Sequence, residues 1–119
     1  MKVLLTGAFG NIGTSALPEL LAQGHTVRCL DVPTEENKRK AARLAQQAEV
    51  VWGDLRRHDD ATAALHGQDA VVHLAFVIPR LSVTGINSED QPEFARDVNV
   101  GGTLNLLAAM KACPRPPQL

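Results

Sequence analysis

Three glycines spaced three residues apart mark the first stretch that could do chemistry, TGAFGNIG, with Gly7, Gly10 and Gly13. They follow the apolar run 3–5 and precede a helical pattern that begins at Ile12. A glycine-rich turn between a strand and a helix can bind a dinucleotide, because glycine permits the tight turn, the approach of pyrophosphate and close helix packing. The free N–H groups and the dipole of the helix start favour the anion. The predicted cradle consists of Gly7, Phe9, Gly10, Asn11, Ile12 and Gly13.

Asp31 supplies the second part of such a site. It follows a second strand pattern, residues 25–30, and lies 18 residues after Gly13, near the spacing of about 20 expected for an acid that bonds the adenosine ribose. A carboxylate there accepts hydrogen bonds from ribose hydroxyls and repels the extra phosphate of NADP, so we predict NAD rather than NADP as cofactor. The alternative is a clamp for that phosphate formed by residues 38–40, but these lie a turn or more into the next helix and are expected to form a solvated face.

The elements that position these residues alternate between apolar runs and helical patterns. The predicted strands are residues 3–5, 25–30, 49–52 and 70–74. The predicted helices run from Ile12 to a cap at Gly24, from an N-cap at Thr34 to Ala48, from Asp59 to Leu65, and from Asp90 or Pro92 to Ala112, and residues 77–89 are expected to form a loop. Unbroken apolar runs favour strands that are buried on both faces of a parallel sheet.

The glycine spacing is Gly-x-x-Gly-x-x-Gly rather than the commoner Gly-x-Gly-x-x-Gly. Together with LDV at 30–32, GDL at 53–55, VVHLAF at 71–76 and VNVGGTLNLLAA at 98–109, it resembles the NAD-dependent epimerase/dehydratase family. These are extended short-chain dehydrogenases/reductases, and they include nucleotide-sugar epimerases and dehydratases. The resemblance implies an α/β fold with a Rossmann-type doubly wound parallel sheet in strand order 3-2-1-4, and NAD as cofactor.

The resemblance also implies further cofactor contacts. Asp54 and Leu55 would border the adenine, with the carboxylate of Asp54 accepting from the amino group. Alternatively, Asp54 only caps a turn. Asn99 would face the cofactor pocket and help to hold water and backbone there, and the alternative is a buried asparagine bonded to backbone.

The end of the fourth predicted strand lies across the switch point from the first strand, where a cofactor would pass. We therefore predict that Leu74, Ala75 and Phe76 contact the cofactor. Phe76 replaces a residue that is usually small in the resembling family. His73 lies within the same apolar run, and we expect a buried, neutral imidazole bonded to backbone rather than a general base.

The last predicted helix carries an apolar stripe of Phe94, Val98, Leu104, Leu107 and Met110. Two glycines inside it, Gly101 and Gly102, suggest close packing against a neighbouring backbone. In the resembling family this helix commonly joins a four-helix dimer interface. We therefore expect a homo-oligomer, and we also expect the 70–74 strand to present an open edge.

The resembling enzymes use a tyrosine as acid/base with a lysine four residues later, and this chain contains no tyrosine. We therefore predict no catalytic residue here. The chain is interpreted as the NAD(P)-binding domain, residues 1–113, and a proline-rich tail, 114–119, that leads towards a missing fifth strand and substrate domain. The whole enzyme would act on a nucleotide sugar or a related alcohol. The alternative is a non-catalytic protein that senses a dinucleotide.

Composition narrows the partners. A net charge of −1, from 12 basic and 13 acidic residues, provides no electrostatic footprint for nucleic acid or an anionic membrane. No apolar stretch approaches 18 residues, so we predict no membrane span and a cytoplasmic location. Cys29 and Cys113 have no metal-ligand spacing, and His58 and His66 are expected to be solvated, so no metal site is predicted.

Overall fold

The computed structural model describes residues 1–78 and 91–119. Most of the loop predicted over 77–89 therefore lies outside the described residues. The strands are β1 (Lys2–Thr6), β2 (Thr26–Asp31), β3 (Glu49–Trp52) and β4 (Ala70–His73). The helices are α1 (Gly13–Ala22), α2 (Glu35–Leu44), α3 (His58–Leu65), α4 (Pro92–Arg96) and α5 (Thr103–Ala112), with a π-helical segment (Asp97–Gly102) joining the last two. None of the described helices is both long and apolar enough to cross a bilayer.

The four strands form one parallel sheet in the order β3-β2-β1-β4, which confirms the predicted topology. β1 is central, and Leu4 pairs with Arg28 on one side and Val71 on the other. Its residues from Val3 to Thr6 are all buried. This burial on both faces explains why the strand is a continuous apolar run rather than an alternating pattern.

Neighbouring residues of β1 supply two separate cores, because successive side chains of a strand point to opposite faces. Leu4 packs with residues of α3 and α5, among them Leu65 and Leu106. Leu5 packs on the other face with Phe9 and with Leu17 of α1. Helices therefore cover both faces of the sheet, as the doubly wound arrangement requires.

Local capping explains two helix ends. Gly24 has a φ of +87°, and the N–H groups of Gly24 and His25 bond to the carbonyls of Leu21 and Leu20 at 3.0 and 3.1 Å. This is a Schellman arrangement, and it confirms Gly24 as the residue that ends α1. The hydroxyl of Thr34 accepts from a first-turn N–H, which confirms it as the N-cap of α2.

The predicted end of α2 was wrong. The helix stops at Leu44, and Ala45 leaves helical geometry with φ −106° and ψ 27°. Ala45 is buried in the core, and Ala48 donates to its carbonyl at 3.1 Å in the turn that leads to β3. Burial of Ala45 thus overrides the helix propensity of the following residues.

The predicted apolar stripe on the final helix does not lie on one face, because Leu104 and Leu107 are 60% and 41% exposed whereas Met110 is buried. The buried residues of α5 are instead Leu106, Ala109 and Met110. The π-helical segment provides the reason. Each residue turns a helix by about 100°, so the wider π turn changes which side chains face the sheet after it.

Close packing at the paired glycines is confirmed for Gly102 and wrong for Gly101. A Cβ atom at Gly102 would lie 3.3 Å from the Cβ of Leu55, whereas one at Gly101 would have no atom within 4 Å. The sequence cannot distinguish the two, because which glycine faces α3 and the preceding turn depends on the π turn.

The end of the chain lies beside β4, on the side away from β1. Gln118 forms a parallel bridge with Ala70. The N–H of Val71 donates to its carbonyl at 2.7 Å, and its own N–H donates to the carbonyl of Asp69 at 3.0 Å. The expectation that the whole edge of β4 is open was therefore wrong for its first two residues, because the proline-rich tail turns back along the sheet.

Candidate functional site

A cavity lies at the carboxyl ends of the four strands, where ligands bind in open α/β sheets. Its wall includes residues that follow β1, β2, β3 and β4, together with two from the last helical region. The lining residues are Gly7, Gly10, Leu30, Asp31, Val32, Gly53, Asp54, Leu55, Arg56, Leu74, Ala75, Phe76, Val77, Phe94 and Val98. The structure thus brings together eight of the predicted site residues: Gly7, Gly10, Asp31, Asp54, Leu55, Leu74, Ala75 and Phe76.

The three glycines have different roles. Gly7 has a φ of +66°, and a Cβ atom there would lie 2.6 Å from the carbonyl oxygen of Leu74. A Cβ atom at Gly13 would collide with the carbonyl oxygen of Gly7 and lie 2.6 Å from the carbonyl of Ala8. A Cβ atom at Gly10 would meet only the Gly7 oxygen, at 3.3 Å. The fold therefore requires glycine at 7 and 13, whereas Gly10 keeps the cavity open.

The remaining residues of the predicted cradle contribute differently. The ring of Phe9 is fully buried, 5.7 Å from the ring of Trp52, so only its backbone is at the turn. Asn11 and Ile12 are exposed just before α1 and are not among the described residues that line the cavity. Within the described part of the chain, the N–H groups of Ile12 and Gly13 make no hydrogen bond. These two donors are thus available to an anion at the positive end of α1.

Asp31 is held by the backbone on both sides. Its Oδ2 accepts from the N–H of Phe9 at 2.9 Å, and its Oδ1 accepts from the N–H of Val32 at 2.9 Å. Burial raises the pKa of Asp31, while these two hydrogen bonds and the nearby Lys40 ammonium lower it. A carboxylate has about four acceptor positions, so the two that remain can accept from hydroxyl groups of a ligand.

Lys40 is closer to this site than the sequence predicted. Its Nζ donates to the carbonyl of Phe9 at 3.1 Å and pairs with Glu36 at 3.1 Å. The prediction of a wholly solvated face on α2 was therefore wrong for Lys40, because the glycine turn folds back within reach of its long side chain. Lys38 fits the prediction, since it is exposed and pairs with Glu35 at 3.5 Å.

Asp54 lies on the cavity wall, but Arg56 occupies its carboxylate. The backbone N–H of Arg56 donates to Oδ1 at 2.9 Å, and its guanidinium contacts both oxygens, the closest contact being Nη2 to Oδ2 at 2.6 Å. These hydrogen bonds lower the pKa of Asp54. Asp54 thus caps a turn, which is the alternative to the adenine contact, and that contact stays a prediction. Leu55 is buried against Gly102 and also lines the cavity.

His73 joins β1 to the last helical region through two threonines. The hydroxyl of Thr103 donates to the carbonyl of Asn99 at 2.6 Å, so its oxygen accepts from Nε2–H of His73 at 2.9 Å. In the neutral ring Nδ1 is then unprotonated, and it accepts from the hydroxyl of Thr6 at 2.7 Å. Burial lowers the pKa of His73, which favours this neutral form. The predicted backbone partners were wrong, because two hydroxyls bracket the ring.

Thr6 also holds the predicted wall after β4. Its Oγ1 accepts from the N–H groups of Leu74 and Ala75 at 3.1 and 3.3 Å. With its hydroxyl hydrogen directed at His73, Thr6 thus has both lone pairs and its donor in use. The ring of Phe76 lies 5.1 Å from that of His73, and the residue is 47% exposed.

Asn99 holds the segment that follows this wall. Its Oδ1 accepts from the N–H of Val77 at 2.7 Å, and its Nδ2 donates to the carbonyl of Val77 at 2.9 Å. The side chain is therefore bonded to backbone, as the alternative to a direct cofactor contact requires. Val77 itself lines the cavity, so Asn99 positions the wall from behind.

Sequence reasoning missed Thr6 and Thr103 as residues of this region, and it placed Lys40 on a solvated face. Thr6 could have been found from the sequence, because it is the only buried residue of β1 whose side chain is polar. Thr103 lies four residues after Asn99, the spacing at which a hydroxyl reaches a helix carbonyl. Among the described residues, no group of three His, Cys, Asp or Glu side chains could hold a metal ion.

The sequence matches the model of the NAD dependent epimerase/dehydratase family over residues 3–118. It is 38% identical over 112 residues to a 3 beta-hydroxysteroid dehydrogenase/isomerase of Mycobacterium tuberculosis, and this match covers 91% of the chain but 28% of that protein. It is 37% identical over 118 residues to a UDP-glucose 4-epimerase of Klebsiella pneumoniae, with 94% of the chain and 81% of that protein covered. The chain thus spans less than a third of the mycobacterial relative.

Solved structures show the same fold with a ligand bound. The UDP-glucose-4-epimerase of Stenotrophomonas maltophila, crystallised with NAD and formylated UDP-arabinopyranose, superposes with a TM-score of 0.74 at 32% identity. The superposition covers 93% of this chain and 33% of that protein.

Proposed function

The chain belongs to the NAD-dependent epimerase/dehydratase family, and from this premise we propose that it binds NAD in the cavity at the carboxyl ends of its strands. One observation carries the proposal. The Asp31 carboxylate is fixed by two backbone N–H groups at the cavity wall, beside a glycine turn that leaves the N–H groups of Ile12 and Gly13 unpaired among the described residues. An acid for the ribose and free donors for the diphosphate are what this class of cofactor requires.

Each part of the cavity has a role in this proposal. The diphosphate lies at the start of α1, where Gly10 lets it approach the backbone. The adenosine ribose bonds to the two free acceptor positions of Asp31, and the adenine lies near Asp54 and Leu55. The wall formed by residues 74–76 borders the nicotinamide side. When bound, NAD supplies the hydride chemistry of the enzyme, and the chain supplies binding and orientation.

For the whole protein we propose an NAD-dependent epimerase, dehydratase or dehydrogenase that acts on a nucleotide sugar or a related alcohol. Relatives named as UDP-glucose 4-epimerases and as a hydroxysteroid dehydrogenase/isomerase support both substrate classes. The chain contains no tyrosine, so we propose that it is inactive alone. We further propose that residues 1–113 form the cofactor domain and that 114–119 lead to the next strand, which the pairing of Gln118 beside β4 supports.

Calorimetric titration of the chain with NAD and NADP tests the proposed cofactor. We expect NAD to bind, and we expect Asp31→Ala to weaken NAD at least about tenfold, because a charge-assisted hydrogen bond contributes about 1.5–3 kcal/mol. The affinity for NADP should fall much less in the same variant. The matched control is Asp69→Ala, because this carboxylate also accepts a backbone N–H, at 2.8 Å, but at the opposite end of the sheet. A folded wild-type chain that does not bind NAD refutes the proposal, and equal losses for both cofactors refute the role of Asp31.

We also propose that the protein forms a homo-oligomer through the last helical region. Val100, Leu104 and Leu107 are spaced as one helix face and are 48%, 60% and 41% exposed. A contiguous apolar face of this kind is typical of an interface. Sedimentation of the wild-type chain should show association that Leu104→Glu abolishes. Leu119→Glu is the control, because Leu119 is 67% exposed elsewhere, and equal effects of both substitutions would contradict the assignment.

A cytoplasmic location is proposed as well. Both cysteines of the sequence are unpaired, with Cys29 buried and Cys113 partly buried. Free thiols of this kind persist in a reducing compartment. Imaging of a tagged full-length protein together with fractionation tests the location, and recovery from a membrane or secreted fraction would contradict it.

A further inference from the structure

A cation from α2 lies on the ribose side of the proposed cofactor site. The N–H of Phe9 donates to Asp31 at 2.9 Å, and the carbonyl of Phe9 accepts from Lys40 Nζ at 3.1 Å. The Asp31 carboxylate and the Lys40 ammonium therefore bind the N–H and the carbonyl of the same residue, Phe9. The ring of that residue is fully buried against Trp52, so both charged groups are anchored to a rigid part of the backbone.

Lys40 is already partly neutralised. Lys40 donates a hydrogen bond to the Phe9 carbonyl, and its Nζ also forms an ion pair with Glu36, 3.1 Å away. Within the described residues Nζ has no third partner. Two carboxylates, Asp31 and Glu36, thus flank one cation, and the local charge is negative on balance.

We propose that Lys40 and Glu36, together with Asp31, set the choice between NAD and NADP. This inference rests on the proposed function, that a dinucleotide binds with its ribose at Asp31. The charge of Asp31 repels a 2′-phosphate, and Glu36 keeps the ammonium of Lys40 occupied so that it does not offset that repulsion. Once both carboxylates are neutral, Lys40 becomes an unpaired cation within reach of the 2′-phosphate, and NADP is accepted.

The neighbouring cations cannot play this part equally. Lys38 is exposed and pairs with Glu35 at 3.5 Å, whereas Lys40 bonds the carbonyl of Phe9 beside Asp31. Lys38→Met is therefore a matched control for Lys40→Met, since each removes one ammonium from the same helix and keeps the apolar stem.

Lys40 also acts on the charge of Asp31. Its ammonium lowers the pKa of Asp31, against the larger effect of burial. The thiol of Cys29 also faces Asp31, but burial raises its pKa to about 12 and keeps it neutral. Glu36 is paired with Lys40 and does not itself shift the pKa of Asp31. The loss of NAD binding on acidification should therefore begin at a higher pH in Lys40→Met than in Lys40→Arg, a difference that a packing role alone would not produce.

The experiment measures NAD, NADP and the smaller probe 2′-AMP by calorimetry on a set of variants whose folding is checked by circular dichroism. Asp31→Asn should lower the affinity for NAD and raise the affinity for NADP by about tenfold each. Glu36→Gln in that background should raise the affinity for NADP by about a further fivefold. Lys40→Met in the same background should remove the gain in NADP and 2′-AMP, whereas Lys38→Met should not, and Lys40→Arg should retain it.

Two results would overturn the proposal. If Asp31→Asn raises the affinity for NADP equally with and without Lys40→Met, while the wild-type chain binds NAD, then Lys40 plays no part in the choice of cofactor. The proposed cofactor site still stands in that case. If the folded wild-type chain binds neither dinucleotide, the proposed function fails and this inference fails with it.

Discussion

Alanine substitutions at Gly10 and Gly13 are expected to separate cofactor binding from folding. Gly13 is enclosed by backbone, with the Gly7 carbonyl and the Ala8 carbonyl closer than a methyl group tolerates. Gly10 has a single tight neighbour, the Gly7 oxygen at 3.3 Å, and otherwise faces the cavity. The same added methyl group should therefore disrupt the protein in one place and the ligand in the other.

The expected magnitudes follow from these surroundings. Overpacking against atoms that cannot move costs about 3 kcal/mol or more, so Gly13→Ala should lose a large share of a domain stability of about 5–15 kcal/mol. For Gly10→Ala, the reduced entropy of the unfolded chain contributes about 0.4–1 kcal/mol and offsets the small shift that the Gly7 oxygen needs. The net change in its free energy of unfolding should stay within about 1 kcal/mol.

Binding should show the reverse order. A methyl group at Gly10 holds the diphosphate away from the free N–H groups of Ile12 and Gly13. Charge-assisted hydrogen bonds contribute about 1.5–3 kcal/mol each, so the loss of one should weaken NAD binding at least about tenfold and the loss of both at least about 100-fold. Urea denaturation gives the stabilities, and calorimetric titration at a temperature where both variants are folded gives the affinities. Wild-type affinity in Gly10→Ala, or wild-type stability in Gly13→Ala, would refute the assigned roles.

Two further predictions concern the last helical region and pH. Gly101→Ala should stabilise the chain by about 0.5–1 kcal/mol in urea denaturation, because the site is open and helical. Gly102→Ala should give no such gain, because its added Cβ would lie 3.3 Å from the Cβ of Leu55. Equal changes in the two variants would contradict this difference in packing. Because burial lowers the pKa of His73 from 6.5, the unfolded chain takes up a proton there first as the pH falls. The stability that the neutral ring contributes is therefore complete above about pH 6.5 and is lost below it. His73→Gln should flatten that part of the stability curve, and an unchanged slope would show that another group causes it.

The strands and the glycine turn could be predicted because local sequence determines them. Strands of a parallel sheet favour short, mainly apolar runs, and the predicted strands at 49–52 and 70–74 end within a residue of the observed bounds. The turn needs glycine where the chain passes close to itself, and the crowded surroundings of Gly7 and Gly13 show why no other residue serves. These features depend on neighbours along the chain, which a sequence displays.

The remaining features depend on contacts between distant residues. Lys40 reaches the carbonyl of Phe9 across 31 positions of sequence, and no local pattern indicates such a reach. The π turn shifts the buried face of the last helix, although each half has an ordinary helical composition. The capture of Asp54 by Arg56 is local, but the pattern GDLR fits a turn and a ligand contact equally well. Side-chain reach and small changes of helix phase thus limited the prediction of the site.

The hydrogen bond between Thr6 and His73 joins residues 67 positions apart, and this separation has a consequence for the order of folding. Closing so long a loop costs more entropy than pairing β1 with β2 through α1, so we expect the β1-α1-β2 unit to form first and β4 to dock later. That early unit already contains the glycine turn and Asp31, but it lacks the wall after β4. Nascent chains should therefore acquire tight affinity for NAD only when β4 has docked, and the cofactor would stabilise completed sheets selectively over partly folded ones.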